Sequence, residues 1–360
     1  MIYLLFLVTL LLISCNPDQA KDNGKDETIE YFIPLSHRVE KDVDEMFEEY
    51  RYVPLETRDD ALIDVLYNVK NIAIFQEDIY IGSGEQLIVW DKYGNPQSYL
   101  HFNHFMIWPN GDLSIASPIE IVTYSNSHQF INKKRCENVG YIEAITLLND
   151  SLYIIKCMPT PEQLRYRIIN HHTGAIINSY DSIINCNRYI SSFTNSFERY
   201  EGHIISHGYQ SNDILECTLD SSKIRYKINV DNRIPPAGFY TQEGKEGMQL
   251  IQEEAEKGYI GHIPDYVESK ETILLSFKGK REDLNGIALI DKKDGNARVL
   301  ENIKFDDNFR WLPKQFFSLD EGWCAMLMYP EDVLKKEEFA RRFPGLDEES
   351  NPVLFIGKLR

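Results

Sequence analysis

Apolar and polar positions alternate in short runs along this chain, and the runs come in groups of four. The clearest group spans residues 71–100, where Ile72 and Ile74, then Ile79 to Ile81, then Leu87 to Trp90, then Ser98 to Leu100 read as four strands. Gln76-Glu77-Asp78, Gly82-Ser83-Gly84 and the run Asp91 to Pro96 supply the turns between them. An antiparallel sheet of four short strands has two faces and cannot bury both alone, so the unit calls for neighbours of its own kind.

Those neighbours follow. Residues 105–133 repeat the pattern, with Asn110-Gly111-Asp112 as a tight hairpin turn, and a third unit runs from Tyr141 to Tyr180. The fourth, within 189–230, has Asn195 to Phe197, His203 to Ser206, Ile214 to Leu219 and Ile224 to Ile228 as its strands. Pro235-Pro236 then breaks the pattern, and Met248, Ile251 and Ala255 fall at helical spacing within Glu243 to Lys257, an inserted helix. A fifth unit resumes at Ile273 to Phe277. The sixth has Phe316 to Leu319 and Trp323 to Met328, then a helical stretch Glu331 to Phe343, then Pro352 to Leu359.

Third strands ending near Asp91, Tyr124, Asn170, Leu219 and Asp291 stand 33, 46, 49 and 72 residues apart, the last gap holding the inserted helix. A repeat of about 40 to 50 residues is what four-stranded propeller blades require. The expected fold is all-β: a six-bladed β-propeller of four-stranded antiparallel blades over residues 30–360, with small helical insertions. The last unit lacks an outer strand, while Tyr52 to Glu56 is a spare strand ahead of the first unit. Pairing the two closes the ring and removes its open edges. A second extended stretch, Glu30 to Leu35, precedes it, and Val39 to Tyr50 between them reads as an acidic helical turn.

Composition narrows the partners. With 56 acidic against 38 basic residues the formal charge is −18, which argues against nucleic acid. Ile2 to Ile13 is an almost unbroken apolar run of signal-peptide length, too short for a lasting membrane span. It ends in Leu12-Ile13-Ser14-Cys15, which looks like a bacterial lipobox. That likeness implies a signal peptide over 1–14, lipidation of Cys15, and a polar tether to residue 29, with membrane contact only through the lipid. Cys136, Cys157, Cys186, Cys217 and Cys324 remain, without CxxC spacing, and read as buried free thiols.

The stretches Leu12-Ile13-Ser14-Cys15, Tyr52-Val53-Pro54-Leu55-Glu56-Thr57, Val89-Trp90-Asp91-Lys92-Tyr93-Gly94 and Asn351 to Leu359 together make the chain resemble the six-bladed β-propeller lipoproteins of Bacteroidota. The resemblance implies a fold and an outer-membrane address, periplasmic or surface-exposed. It carries no catalytic residues to transfer. The second unit departs from it, with Tyr124-Ser125-Asn126-Ser127 in place of an Asp-x-x-Gly turn.

Motifs for chemistry are missing. On a strand, His203 and His207 stand roughly 13 Å apart, too far to share one ion. His101 and His104 have no carboxylate or thiol following at ligand spacing, and no nucleophile elbow or phosphate loop is present. No metal, cofactor or catalytic residue is expected. Propellers gather ligand contacts where blade-to-blade connections and second-to-third strand loops meet the channel. Those loops hold His104, Lys156, His207, Tyr209, Gln210, Lys280, Arg281 and Tyr329. Such rings and donors suit a glycan or a peptide. The reading is a monomeric binding or interaction module of the cell envelope, for a glycan, a peptide or another envelope protein. The alternative is a propeller-fold enzyme, a hydrolase, lactonase or lyase with its active site in the channel.

Overall fold

The computed structural model describes residues 28–360 apart from 64–68, 85, 102–103, 118–119, 137–141, 158–163, 183–196, 208–210, 243–244 and 246. The chain opens with β1 (Ile29–Ile33), β2 (Arg38–Asp42), a single helical turn α1 (Val43–Met46) and β3 (Phe47–Pro54). The first sheet is β4 (Val69–Phe75), β5 (Asp78–Ser83), β6 (Gln86–Trp90) and β7 (Pro96–His101), and the second is β8 (His104–Ile107), β9 (Leu113–Ala116), β10 (Glu120–Tyr124) and β11 (Phe130–Arg135). The third is β12 (Ile142–Asn149), β13 (Leu152–Cys157), β14 (Leu164–Asn170) and β15 (Ile176–Ser182). The fourth follows as β16 (Phe197–Tyr200), β17 (His203–Ser206), β18 (Asp213–Cys217) and β19 (Ser222–Val230). Helix α2 (Gly247–Lys257) comes next, within the stretch read as an inserted helix. The fifth sheet holds β20 (Ile260–His262), β21 (Tyr266–Glu268), β22 (Thr272–Gly279), β23 (Gly286–Asp291), β24 (Ala297–Lys304) and the short β25 (Arg310–Trp311). The sixth is β26 (Phe316–Ser318), β27 (Trp323–Met328) and β28 (Val353–Leu359), with β3 as its fourth strand.

The first strands of these sheets touch in a cycle: β4 meets β8, β8 meets β12, β12 meets β16, β16 meets β21, β21 meets β26, and β26 returns to β4. This is an all-β propeller of four-stranded antiparallel blades, two of them widened by extra strands. Apolar side chains fill the seams. Ile81, Ile88 and Trp90 pack against Ala325, Leu327 and Leu354, for example, and all six are buried. Among the described residues no helix is long and apolar enough to cross a membrane.

Ring closure joins β3 to the last strand, β28. β3 runs antiparallel to β28, pairing Val53 with Leu354 and Tyr50 with Gly357. A Cβ on Gly357 would stand 2.7 Å from both Phe47 and Phe355, whose rings pack edge to face at 5.1 Å, so only glycine passes there. Asn351 is the rivet. Its Nδ2 donates to the carbonyls of Glu56 (2.9 Å) and Ala61 (2.8 Å), and its Oδ1 accepts from Ile63 N–H (2.9 Å). Gly94, at φ 89°, lies against the same corner: a Cβ would come within 2.0 Å of the Pro54 carbonyl oxygen, and its own carbonyl accepts from Glu56 N–H at 2.8 Å. Three of the four stretches that carried the family resemblance therefore meet at one structural junction.

The segment before β3 does more than the sequence showed. β1 adds in parallel to β19, the outer strand of the fourth sheet, and β2 adds in parallel to β24 of the fifth. An outermost strand exposes unpaired N–H and C=O groups, and this belt covers two such edges. Within it, Tyr31 and Ile33 are buried, and the Tyr31 ring packs on Tyr226 at 5.3 Å.

Some expectations are corrected. The helical stretch Glu331 to Phe343 resolves into two single turns, α3 (Pro330–Val333) and α4 (Glu337–Ala340), anchored by Phe339 stacked on Phe309 at 4.4 Å. The first strand of the fourth sheet is Phe197–Tyr200, so Glu198 and Arg199 belong to the strand. Cys136, Cys157, Cys217 and Cys324 are buried; Cys15 and Cys186 lie outside the described residues.

Candidate functional site

A cavity of about 370 Å³ occupies the centre of the ring, lined by residues from five of the sheets. It lies toward the turns that join first to second strands. The first sheet contributes Asn71, Ala73 and Phe75, the second Trp108, the third Asn149 and Asp150, the fourth Arg199, and the sixth Ser318 and Asp320. Apolar walls with a few convergent polar groups are what small polar ligands require.

Several of the polar groups are held from behind. The Asn71 amide donates to Phe105 O, and Trp108 Nε1 donates to Ser114 Oγ at 2.8 Å, which fixes the indole. The turn after β26 reaches past the fifth sheet to β16: Arg199 N–H donates to Asp320 Oδ1 (2.8 Å), Glu321 N–H to the Arg199 carbonyl (2.8 Å), and Glu201 N–H to Glu321 Oε2 (3.1 Å). Asp320 and Glu321 both take positive φ, at 69° and 49°. Non-glycine residues adopt that region at a cost, and these three bonds hold them there. Burial raises the Asp320 carboxyl above its ordinary range, against the pull of the Arg199 N–H. The Arg199 guanidinium donates through Nη2 to the Leu147 carbonyl and, among the described residues, forms no ion pair. Glu198, on the opposite side of the strand, accepts from Glu268 N–H at 2.8 Å, and full burial keeps its carboxyl protonated well above the usual range.

The residues singled out from the sequence sit elsewhere. Lys156 and His207 come together: Lys156 Nζ donates to the His207 carbonyl (2.8 Å) and stands 3.8 Å from Glu143 Oε2, while His207 Nδ1–H donates to Ile263 O (3.0 Å). All three side chains are buried. Burial, with Arg165 nearby, pulls the Lys156 amine down to about 7, and burial holds His207 neutral, lowered to about 3. His104 opens β8 and is likewise lowered to about 4 by burial. Lys280 faces Glu254 and His262, a buried pair 3.4 Å apart beneath α2. Arg281 is exposed and forks to its near neighbour Asp283. Tyr329 packs against the seam between the first and sixth sheets, with Lys314 Nζ 5.6 Å from its ring. Tyr209 and Gln210 lie outside the described residues. Arg199 and Asp320 are not among the residues the sequence singles out, although the Glu198-Arg199 pair between the aromatic Phe197 and Tyr200 is a legible signal: two charges on an innermost strand. Among the described residues no group of three or more His, Cys, Asp or Glu side chains is placed to hold a metal ion.

Comparisons with known proteins place the fold. The chain resembles a Bacteroides fragilis protein described as exported, with a TM-score of 0.74 at 11% identity, covering 92% of this chain and 99% of that one. Weaker likenesses include a member of the DUF4221 family from Bacteroides vulgatus, at TM-score 0.46, 9% identity and coverage of 87% and 97%. Virginiamycin B lyase from Staphylococcus aureus gives 0.45 at 12% identity, covering 77% and 82%. The last two carry no argument about chemistry. No curated protein matches. The model of the domain of unknown function DUF4934 matches residues 30–358, and the chain belongs to that family.

Proposed function

We propose that this chain is a binding module of the cell envelope, a six-bladed propeller tethered through a lipid on Cys15, which takes a saccharide-sized ligand into its central cavity. The cavity carries the reading. Its roughly 370 Å³ is lined by Phe75, by Trp108, whose indole is mostly buried against Tyr153 and His171, and by the amides, hydroxyl and carboxylates of Asn71, Asn149, Ser318, Asp150 and Asp320. A sugar presents an apolar C–H face and a rim of hydroxyls, which such a lining complements. Export of the similar Bacteroides fragilis protein supports the address. The loop-end residues Lys156 and His207 serve as braces in this reading, since their polar atoms are taken up by backbone carbonyls.

The test is a glycan array with the full chain in detergent, followed by titration of the hits against an Ala73→Trp variant that fills the cavity. Binding of a short saccharide, lost at least ~10-fold in the variant at unchanged fold, is the expected result. Binding that survives the indole moves the site out of the channel.

A further inference from the structure

We infer that the ligand of this cavity carries a carboxylate, read by Arg199: an acidic saccharide. The inference rests on the cavity being the binding site and names the class of its ligand.

Arg199 is the sole cationic side chain among the described residues lining the cavity. A guanidinium presents five N–H donors in a planar fork. Nη2 donates to the Leu147 carbonyl, and among the described residues no carboxylate lies within ion-pair distance. Arg225, on the same sheet, shows the satisfied alternative: its Nε and Nη2 fork onto Glu268 at 3.0 and 2.9 Å, and its Nη1 reaches Glu216 at 3.4 Å. In a chain of net charge −18, acidic side chains are plentiful enough to neutralise a channel arginine. The two acids of the lining make no ion pair with it. Asp320 feels the Arg199 charge, but it spends Oδ1 on the Arg199 backbone N–H, 2.8 Å away, and burial outweighs that charge and favours the neutral carboxyl. Asp150 is exposed, at the cavity's edge.

A cation with no carboxylate in ion-pair contact, inside a partly desolvated cavity, is a receptor for an anion. One fork, with no lysine and no helix N-terminus among the lining, matches the two oxygens of a carboxylate better than a phosphate, which draws on several donors and cations. Aromatic faces and amides around it match the ring of a sugar. The combination fits a uronic acid.

The experiment is calorimetric titration of the full chain in detergent with D-galacturonate and D-glucuronate against D-galactose and D-glucose, repeated on Arg199→Gln and Arg199→Lys. The expected result is a uronate preference of ~10-fold or more that Arg199→Gln abolishes, so that acid and neutral sugars bind the variant alike. Arg199→Lys keeps the charge, loses the fork, and retains part of the preference; it serves as the test if the glutamine variant does not fold. Equal binding of acid and neutral sugars, or unchanged uronate binding by both variants, overturns the carboxylate assignment and leaves the cavity reading standing. Failure of all four sugars to bind, alongside a glycan array with no hits, overturns both.

Discussion

Two arginines on the fourth sheet separate what holds this molecule together from what it offers a ligand. Arg225 lies in the seam with the fifth sheet, where Glu268 accepts from its fork, from Tyr226 Oη (2.9 Å), from Tyr266 Oη (2.8 Å) and from Lys292 Nζ (2.7 Å). Every lone pair there is spoken for, and the paired donors pull the Glu268 carboxyl below its ordinary range although burial pushes the other way. Arg199 lines the channel, donates to one carbonyl and has no carboxylate in ion-pair contact among the described residues, only the longer-range pull of the buried Asp320 carboxyl. A charged side chain with its partners complete is structure, and one lacking a counter-charge beside a cavity is a binding surface.

The comparison can be broken most forcefully at Glu268. Replacing it with Leu leaves the half-buried Arg225 and Lys292 without their shared acceptor, a loss of about 2 to 4 kcal/mol by denaturant titration, with saccharide binding by the surviving folded fraction unchanged. A loss below ~1 kcal/mol would mean that the seam is not held by this network.

Next comes the closing seam. Gly357→Ala drives a Cβ against Phe47 and Phe355, and a destabilisation of about 1 to 3 kcal/mol is expected. Hydrogen exchange should quicken first in β3 and β28, the strands on either side of the closure.

The pair beneath α2 gives a pH signature. Burial raises the Glu254 carboxyl from 4.5 to about 7, against the pull of Lys280, and lowers His262 to about 3. Glu254 therefore contributes stability that is fully present below about pH 4.5 and lost as pH rises toward 7, on the order of 2 to 3 kcal/mol. His262 acts in the other direction: the unfolded chain takes up its proton first, so stability falls as pH drops below about 6.5. Between about pH 4.5 and 6.5 the two slopes oppose each other, so stability should run flat there and fall on either side, and Glu254→Gln should replace that plateau with a steady rise up to about pH 6.5. A plateau that survives in the variant contradicts the assignment.

The smallest effect belongs to Arg199 itself. Its substitution by Gln should cost less than ~1 kcal/mol, because it breaks no ion pair among the described residues. A loss as large as that at Glu268 would make it a second Arg225.

Much of the fold was legible because strand and turn signals are local. The alternation of Ile79 to Ile81 and Leu87 to Trp90 marks strands without any partner in view, and a spare strand at Tyr52 pointed to the incomplete last unit. The belt was not legible. Arg38-Val39-Glu40-Lys41-Asp42 has one apolar residue, and its pairing with β24 rests on backbone groups that leave no mark in the side chains. The site was misplaced for a related reason. Loops rich in His, Lys and Tyr drew attention, yet Lys156 and His207 satisfy one another's neighbours in a buried brace. The cavity is instead built by strand residues whose meaning depends on five sheets converging, which no single stretch records.

The central claim is that the channel end holding Arg199, Trp108 and Asp320 is where this protein meets its ligand. A crystal structure of the chain soaked with D-galacturonate tests it most directly. The account predicts the sugar in the central cavity, its ring against Trp108 or Phe75 and its carboxylate on the Arg199 guanidinium. Density for the sugar over Lys156 and His207 at the other end, with the cavity left to water, would contradict it.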